Sequence, residues 1–144
     1  MELKIKRLDE RARIPTRGTH GSAGMDLYAM LDKPETVPPL GRVVVPTGIA
    51  IRLPDNNTVG LVYARSGLAV KHGLTLSNCV GVIDSDYTGE IRVGLVNLSD
   101  SEYTIQPYER IAQLVVSPVF PVMPVEVEDL QQTQRGDGGF GSTG

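Results

Sequence analysis

The sequence is poor in residues that disulfide-bonded and membrane proteins need. Its 144 residues include one cysteine, Cys79, and no tryptophan. A lone cysteine cannot close an internal disulfide, and without C-x-x-C spacing it indicates neither a zinc site nor a redox pair, so we expect a small buried residue there. The charged segment 1–6 has no apolar stretch behind it, and no apolar run reaches the roughly 18 residues of a membrane span. We therefore expect a cytoplasmic protein that neither crosses nor binds a membrane.

The sequence also lacks a large excess of charge of either sign. Fourteen basic residues stand against 17 acidic ones, which gives a formal net charge of -3, and no block of like charges occurs. A surface for nucleic acid therefore has no electrostatic basis.

The signatures of several enzyme classes are missing. No Gly-Lys pair exists, which excludes a P-loop, and His20 and His72 lie too far apart for a zinc-binding H-E-x-x-H motif. The glycines at 136, 138 and 141 match G-x-G-x-x-G by letter but lack the helix that must follow a dinucleotide-binding loop. The segment 21–24 lacks the first glycine of a nucleophile elbow.

Turn-forming residues are abundant instead, with 16 glycines and 10 prolines between short apolar runs. Apolar residues alternate in 49–53 and 91–95, which is typical of strands with one buried face. The length suits a single domain, and we predict an all-β fold over residues 1–130, a jelly-roll-like barrel or sandwich. Predicted strands are 3–8, 25–31, 42–45, 48–53, 59–64, 74–76, 90–98, 103–105 and 110–116. A chain this short leaves much of its apolar surface exposed to solvent, and association into an oligomer would bury part of that surface.

Two segments depart from this pattern. Residues 66–72 predict one short helix, because Ser66 can cap it, helix formers follow, and Gly73 can end it. Residues 131–144 are glycine-rich without aliphatic side chains and predict a flexible C-terminal arm. The arm is either a disordered tail or a nucleotide-binding element, because a cation, a ring, a free amide and hydroxyls suit a phosphorylated base. These groups belong to Arg135, Phe140, Gly141, Ser142 and Thr143.

Polar residues interrupt the predicted core at three places. Asp26 lies in an apolar strand, where a charge is costly unless it is paired, so it meets an arginine or a hydrated metal, or else faces solvent. Arg65, Ser66 and Gly67 open the short helix and form either a phosphate-binding arrangement or an ordinary helix cap. Gln113 interrupts an aliphatic strand and can simply face solvent.

Residues 81–91 place two apolar runs around an Asp/Ser/Asp turn, which predicts a β-hairpin. The Asn78 amide and the backbone of Gly81, Val82 and Ile83 could bind the edge of a flat base, and Tyr87 offers a ring face to a sugar. A decorated surface turn is the alternative.

Together these segments resemble the deoxyuridine triphosphate nucleotidohydrolase (dUTPase) family of trimeric type. The resemblance covers the whole chain and rests on AGMDLYA, ARSGLA, GVIDSDYTGEI, ERIAQLV and RGDGGFGSTG. It implies a jelly-roll-like homotrimer with active sites shared between subunits, which uses Mg²⁺ to hydrolyse dUTP to dUMP and pyrophosphate. Such an enzyme limits uracil incorporation into DNA and supplies dUMP for thymidylate synthesis.

The resemblance also implies residue roles. Asp84 orients and deprotonates the attacking water, and Mg²⁺ is held mainly by phosphate oxygens and waters, with Asp26 acting through waters or through Arg65. The groups around the α and β phosphates are Arg65, Ser66, Gly67 and Gln113.

Substrate choice follows from the same resemblance. The edge of uracil meets Asn78 and the backbone of 81–83, and Tyr87 leaves no space for a 2'-hydroxyl. Arg92 either reaches the substrate mouth or remains a surface residue. The arm closes as a lid, with Phe140 over the uracil, Arg135 at the γ phosphate, and Ser142 and Thr143 as further donors.

Two other functions stay open on the sequence. One is a dCTP deaminase of the same fold, which would need a glutamate at the cytosine amine. The other is a non-catalytic module that senses nucleotides.

Overall fold

The computed structural model describes residues 1–139 and 141 of the chain. Within these residues it contains ten β-strands and one short α-helix. In chain order they are β1 (Lys4–Arg7), β2 (Met25–Tyr28), β3 (Glu35–Val37), β4 (Arg42–Arg52), β5 (Thr58–Ala64), α1 (Ser66–His72), β6 (Leu74–Leu76), β7 (Gly81–Ile83), β8 (Glu90–Asn97), β9 (Tyr103–Ile105) and β10 (Arg110–Pro118).

The strands form two four-stranded sheets and one two-stranded sheet. The first sheet has the order β1-β4-β8-β6, the second has the order β2-β10-β5-β7, and β3 pairs with β9. All of these pairings are antiparallel. One cluster of buried aliphatic side chains joins both larger sheets, with Ile49 and Val93 from the first and Leu27 and Leu114 from the second. This architecture confirms the all-β, jelly-roll-like prediction.

Alternating burial is present in β8 but is lost in the second half of β4. In β8, Ile91 and Val93 are buried and Arg92 between them is exposed, as predicted. In β4, Ala50 is buried together with Ile49 and Ile51, so the prediction of one buried face is wrong there. Ala50 pairs with long side chains on both neighbouring strands, Lys6 and Glu90, and these can cover a single methyl group.

A bulge joins two apolar runs into one strand. Residues 42–45 and 48–53 were predicted as separate strands, but 42–52 form the single strand β4, and the register shifts between Pro46 and Ala50. Proline has no N–H to donate to a ladder, so a bulge is where a strand tolerates it. Gly48 has a φ of +68°, and a Cβ there would lie 2.2 Å from the Met30 sulfur. The bulge therefore requires glycine at this position.

Helix α1 has the predicted bounds but a different N-cap residue. Gly73 ends it in the left-handed conformation, and its N–H donates to the carbonyls of Ala69 and Leu68. The N-cap residue is Arg65 and Ser66 is already helical, so the prediction that Ser66 caps the helix is wrong. Strand β5 runs to the residue before Arg65, which leaves only Arg65 to take the extended N-cap conformation.

The predicted hairpin over residues 81–91 is wrong as a pairing. Strand β7 pairs with β5, whereas β8 pairs with β4 and β6, so the segment 84–89 carries the chain from one sheet to the other.

The prediction that Cys79 is buried is also wrong, since its side chain is exposed. It lies in the turn between β6 and β7 with a φ of 62°, outside the aliphatic cluster.

The last strand ends before the predicted arm begins. After Pro118, residues 119–130 continue as exposed chain without helix or strand. Their exposed apolar side chains are Val119, Phe120, Val122, Met123, Val125, Val127 and Leu130. The domain boundary at residue 130 stays a prediction.

Over the described ranges, the structure contains no helix with both the length and the apolar character that spanning a membrane requires.

Candidate active site

A cavity of about 290 Å³ opens where β7 of one sheet meets β8 of the other. We call it the base cavity. It brings together the residues predicted to bind the base and sugar, with the predicted catalytic aspartate, and these are Asn78, Gly81, Val82, Ile83, Asp84, Tyr87 and Arg92. Its remaining walls come from Val62, Leu76, Glu90, Ile91, Val93 and Gly94. Aliphatic walls with a few polar groups suit a flat heterocycle.

Strand β7 offers this cavity a free backbone edge. It is the outer strand of its sheet, and its pairing with β5 uses only one of its two hydrogen-bonding edges. The N–H and C=O groups on the other side are not part of a ladder among the described residues. An outer strand of this kind can bind a planar partner through main-chain hydrogen bonds, which supply both donors and acceptors.

Asp84 and Tyr87 stand in one turn at the end of β7. The Tyr87 N–H donates to the Asp84 carbonyl at 3.1 Å, and the Tyr87 hydroxyl donates to the Glu90 carbonyl at 2.9 Å. Both side chains are exposed and line the base cavity. A carboxylate and an aromatic ring therefore share its mouth.

A second cavity, of about 410 Å³, lies at the start of α1. We call it the phosphate cradle. It collects the second group of predicted residues, Asp26, Arg65, Ser66, Gly67 and Gln113. Arg110 also lines it, so the cavity is bordered by two arginines together with the hydroxyl residue Ser66 and the amide residue Gln113. Arginine forks with neutral donors beside them are suited to phosphate oxygens.

Asp26 pairs with two arginines. Its Oδ1 lies 2.9 Å from Arg65 Nε and its Oδ2 lies 3.2 Å from Arg110 Nη1, while its own side chain is only 14% exposed. Arg65 Nη1 also donates to the Arg110 carbonyl at 3.1 Å. The expectation that Asp26 meets an arginine is confirmed, and the two ion pairs hold both guanidinium groups at the wall of the phosphate cradle.

Gln113 is half-buried and does not simply face solvent. Its Nε2 donates to the Ala64 carbonyl at 3.0 Å, across the ladder between β10 and β5. This bond links the side chain to the residue before Arg65. The amide is thereby fixed beside the residues that open α1.

Three polar contributors to the two cavities, two side chains and one backbone segment, are absent from the sequence-based prediction. Arg110 is one, although a charge at the start of an otherwise apolar strand was a usable signal. Glu90 is another, at the start of β8. The third is the loop 18–24, where Arg17 donates to the carbonyls of Ser22 and Ala23 and so fixes a backbone that lines the cradle.

The arm is covered only in part by the described residues. Arg135 and Gly141 are exposed, and neither lines the base cavity or the phosphate cradle. Phe140, Ser142 and Thr143, which were predicted to contact the nucleotide, lie outside the described residues.

Comparison with known proteins identifies the family. The dUTPase family model matches residues 10–144. The chain belongs to the dUTPase family. It is 49% identical over 146 residues to the deoxyuridine 5'-triphosphate nucleotidohydrolase of Burkholderia multivorans, with coverage of 100% of this chain and 99% of that relative. The same-named protein of Burkholderia ambifaria is also 49% identical, with the same coverage. The resemblance read from the motifs is therefore confirmed.

Solved dUTPase structures share the fold. The dUTPase of Staphylococcus bacteriophage 80alpha, solved with dUPNHPP, superposes with a TM-score of 0.89 at 29% identity and covers 99% of this chain and 98% of its own. A point mutant of the dUTPase from phage phi11 of S. aureus gives a TM-score of 0.81 at 24% identity, with coverage of 92% and 100%. That structure is described as showing the coordination of a structural Mg(II) ion.

Proposed function

We propose that this member of the dUTPase family hydrolyses dUTP to dUMP and pyrophosphate, with Asp84 directing water onto the α phosphorus. The observation that carries the proposal is the position of the Asp84 carboxylate at the mouth of a cavity suited to a flat base. A carboxylate placed in this way removes a proton from water as the bond to phosphorus forms. A positioned general base typically contributes about 10²–10⁴-fold in rate.

Base recognition uses the free edge of β7 and the Asn78 amide. Uracil presents an acceptor at O4 and a donor at N3, and the N–H and C=O groups of residues 81–83 can match both. Cytosine presents the reverse polarity, and each mispaired buried group costs about 1–3 kcal/mol. A closely fitting wall excludes the 5-methyl of thymine, and the Tyr87 ring against the deoxyribose excludes a 2'-hydroxyl. Arg92 lies at the same mouth.

The triphosphate binds in the phosphate cradle. Arg65, Ser66, Gly67 and Gln113 surround the α and β phosphates, and the ion pairs of Asp26 keep Arg65 in place. Fixed donors of this kind stabilise the charge that develops in an in-line displacement at phosphorus.

The side chains of the site are compatible with a Mg²⁺ ion that binds together with the substrate. Both carboxylate oxygens of Asp26 are engaged by arginines, and in residues 1–139 and 141 no three His, Cys, Asp or Glu side chains group into a metal site. The ion would then be held mainly by phosphate oxygens and waters, with Asp26 acting through waters or through Arg65. When bound, it neutralises phosphate charge and polarises the phosphoryl group.

The assembly we propose is a homotrimer with shared sites. The base cavity and the phosphate cradle have no lining residue in common, which suits a site completed by a neighbouring copy. The exposed apolar residues of 119–130 also need a surface to cover them. The arm 131–144 then closes as a lid, with Arg135 at the γ phosphate. Location in the cytoplasm stays a prediction from the sequence.

The test is pyrophosphate release from dUTP, dCTP, dTTP and UTP, with and without Mg²⁺, by the wild-type protein and by Asp84→Asn. We expect turnover of dUTP alone, dependence on Mg²⁺, and a loss of about 10²–10⁴-fold in Asp84→Asn with dUTP binding retained. Asp86→Asn is the matched control in the same turn. Undiminished turnover by Asp84→Asn would contradict the role of Asp84. Ammonia release from dCTP would indicate a deaminase, and nucleotide binding without turnover would indicate a sensor.

A further inference from the structure

The Tyr87 ring rests on the backbone of the two residues that end its turn. A Cβ built on Gly89 would lie 2.6 Å from the Tyr87 Oη and 2.7 Å from its Cζ, so the ring packs directly on a bare glycine. The hydroxyl donates to the Glu90 carbonyl at 2.9 Å. The orientation of the ring at the mouth of the base cavity therefore depends on where the backbone of residues 89–90 lies.

The Glu90 side chain ties that backbone to the bulge of β4. Gly48 N–H donates to Glu90 Oε1 at 2.9 Å in a partly buried bond. The bulge between Pro46 and Ala50 takes Gly48 out of the regular ladder, and the carboxylate accepts the N–H that results. Beside it, Thr47 Oγ1 donates to the Ile91 carbonyl at 2.5 Å. The start of β8 is thus held by side-chain bonds at the place where the ladder is irregular.

We propose that Glu90 is a positioning residue that sets the sugar specificity of the enzyme by holding Tyr87 in place. This rests on the proposed function, in which Tyr87 excludes the 2'-hydroxyl of a ribonucleotide. The chain of contacts runs from Gly48 through the Glu90 carboxylate and carbonyl to the Tyr87 hydroxyl. When the carboxylate is lost, the start of β8 keeps its ladder pairing with Ala50 but loses its bond to the bulge, so the backbone of residues 89–90 and the ring on it gain freedom, and a 2'-hydroxyl can be accommodated.

The conservative and the truncating substitution differ in a useful way. Glutamine keeps an acceptor oxygen for the Gly48 N–H, although a neutral amide accepts more weakly than a carboxylate. Alanine removes the acceptor altogether. Tyr87→Phe keeps the ring on Gly89 but removes the bond to the Glu90 carbonyl, so it tests the other end of the same chain of contacts.

The experiment measures kcat and KM for dUTP and UTP by pyrophosphate release. We expect Glu90→Ala and Tyr87→Phe each to lower the ratio of kcat/KM for dUTP to that for UTP by about tenfold, the effect of losing one positioned hydrogen bond. Glu90→Gln should keep the wild-type ratio to within about threefold. The control Glu102→Ala, which removes an exposed carboxylate, should leave it unchanged. Combining Glu90→Ala with Tyr87→Ala should add nothing to Tyr87→Ala alone, because both act on one contact.

The outcomes separate the two proposals. A folded Glu90→Ala protein with slower turnover but an unchanged ratio would overturn the positioning role, because a purely structural defect lowers both activities together. If Glu90→Ala does not fold, an unchanged ratio in Tyr87→Phe overturns it instead. A wild-type protein that shows no preference for dUTP over UTP points to failure of the proposed function itself.

Discussion

Gln113 lies against Gly24 so closely that no side chain fits between them. A Cβ on Gly24 would come within 2.4 Å of the Gln113 Oε1 and 3.2 Å of its Cβ. Gly24 immediately precedes β2, and Gln113 lies opposite Asp26 in the ladder between β10 and β2. The Gln113 amide can thus keep its position in the phosphate cradle only because residue 24 has no side chain.

Gly24→Ala should therefore displace the Gln113 amide. We expect kcat/KM for dUTP to fall by about tenfold or more, because a displaced donor is lost from the phosphates. Gly21→Ala is the matched control in the same loop, since a Cβ there meets nothing within 4 Å. Steady-state kinetics of both variants checks this, and equal activity of the two would contradict it.

Asp26→Asn should weaken phosphate binding and the fold together. It leaves Arg65 and Arg110 without their carboxylate, and we expect a higher KM for dUTP and a loss of about 1–3 kcal/mol of unfolding free energy. Asp32→Asn is the control, because its partner Arg11 and its own side chain are largely exposed. That change should cost well under about 1 kcal/mol in urea unfolding. Similar losses in the two variants would contradict a special role for Asp26.

Tyr87→Ala should raise the turnover of UTP relative to dUTP. The side chain lines the base cavity, and its loss opens space beside the sugar. Tyr63→Ala removes an exposed ring that lines neither the base cavity nor the phosphate cradle, and serves as the control. Competition between dUTP and UTP in one assay gives the ratio directly. An unchanged ratio would remove Tyr87 from sugar selection.

Deletion of residues 134–144 should depress turnover by about 10²-fold or more while the β domain stays folded. Closure of a lid excludes water and aligns the triphosphate, so its absence acts on catalysis rather than on folding. Turnover of dUTP and thermal unfolding of the shortened chain provide the two measurements. Normal kinetics in the shortened chain would refute the lid.

Arg11→Ala should change the titration of a neighbouring carboxyl. The Arg11 guanidinium beside Asp9 lowers the pKa of that carboxyl to about 2 from 3.8. A lowered folded-state pKa means that the pair stabilises the fold above the ordinary pKa, and that this contribution disappears as the pH falls through about 2. In an NMR titration of the variant, the pKa read from the carboxyl resonance of Asp9 should move back toward 3.8. An unmoved pKa would mean that Arg11 is not the cause.

Local patterns predicted most of the secondary structure. The alternation around Ile91 and Val93 and the glycine after His72 specify β8 and α1 without help from the rest of the chain. Strand β3 has no such pattern, because its residues 35–37 are few, follow a proline, and become a strand only by pairing with β9. The predicted hairpin failed for a similar reason, since the partners of β7 and β8 are set by distant strands.

The motifs indicated which residues form the site but not how they meet. The contact between Arg110 and Asp26 joins positions 84 residues apart, and that between Gly48 and Glu90 joins positions 42 apart. Neither follows from local spacing, because each depends on sheet register. The loop 18–24 was missed since its contribution comes from backbone groups, for which side-chain identity is a weak guide.

The base cavity takes its walls from two sheets that share no strand, with Val62 and Ile83 on one side and Leu76 and Ile91 on the other. Its width is therefore governed by the spacing between the sheets, which the buried aliphatic cluster between them maintains. Redesign toward a bulkier heterocycle would accordingly begin with interior volume, and only afterwards with the groups that touch the nucleotide.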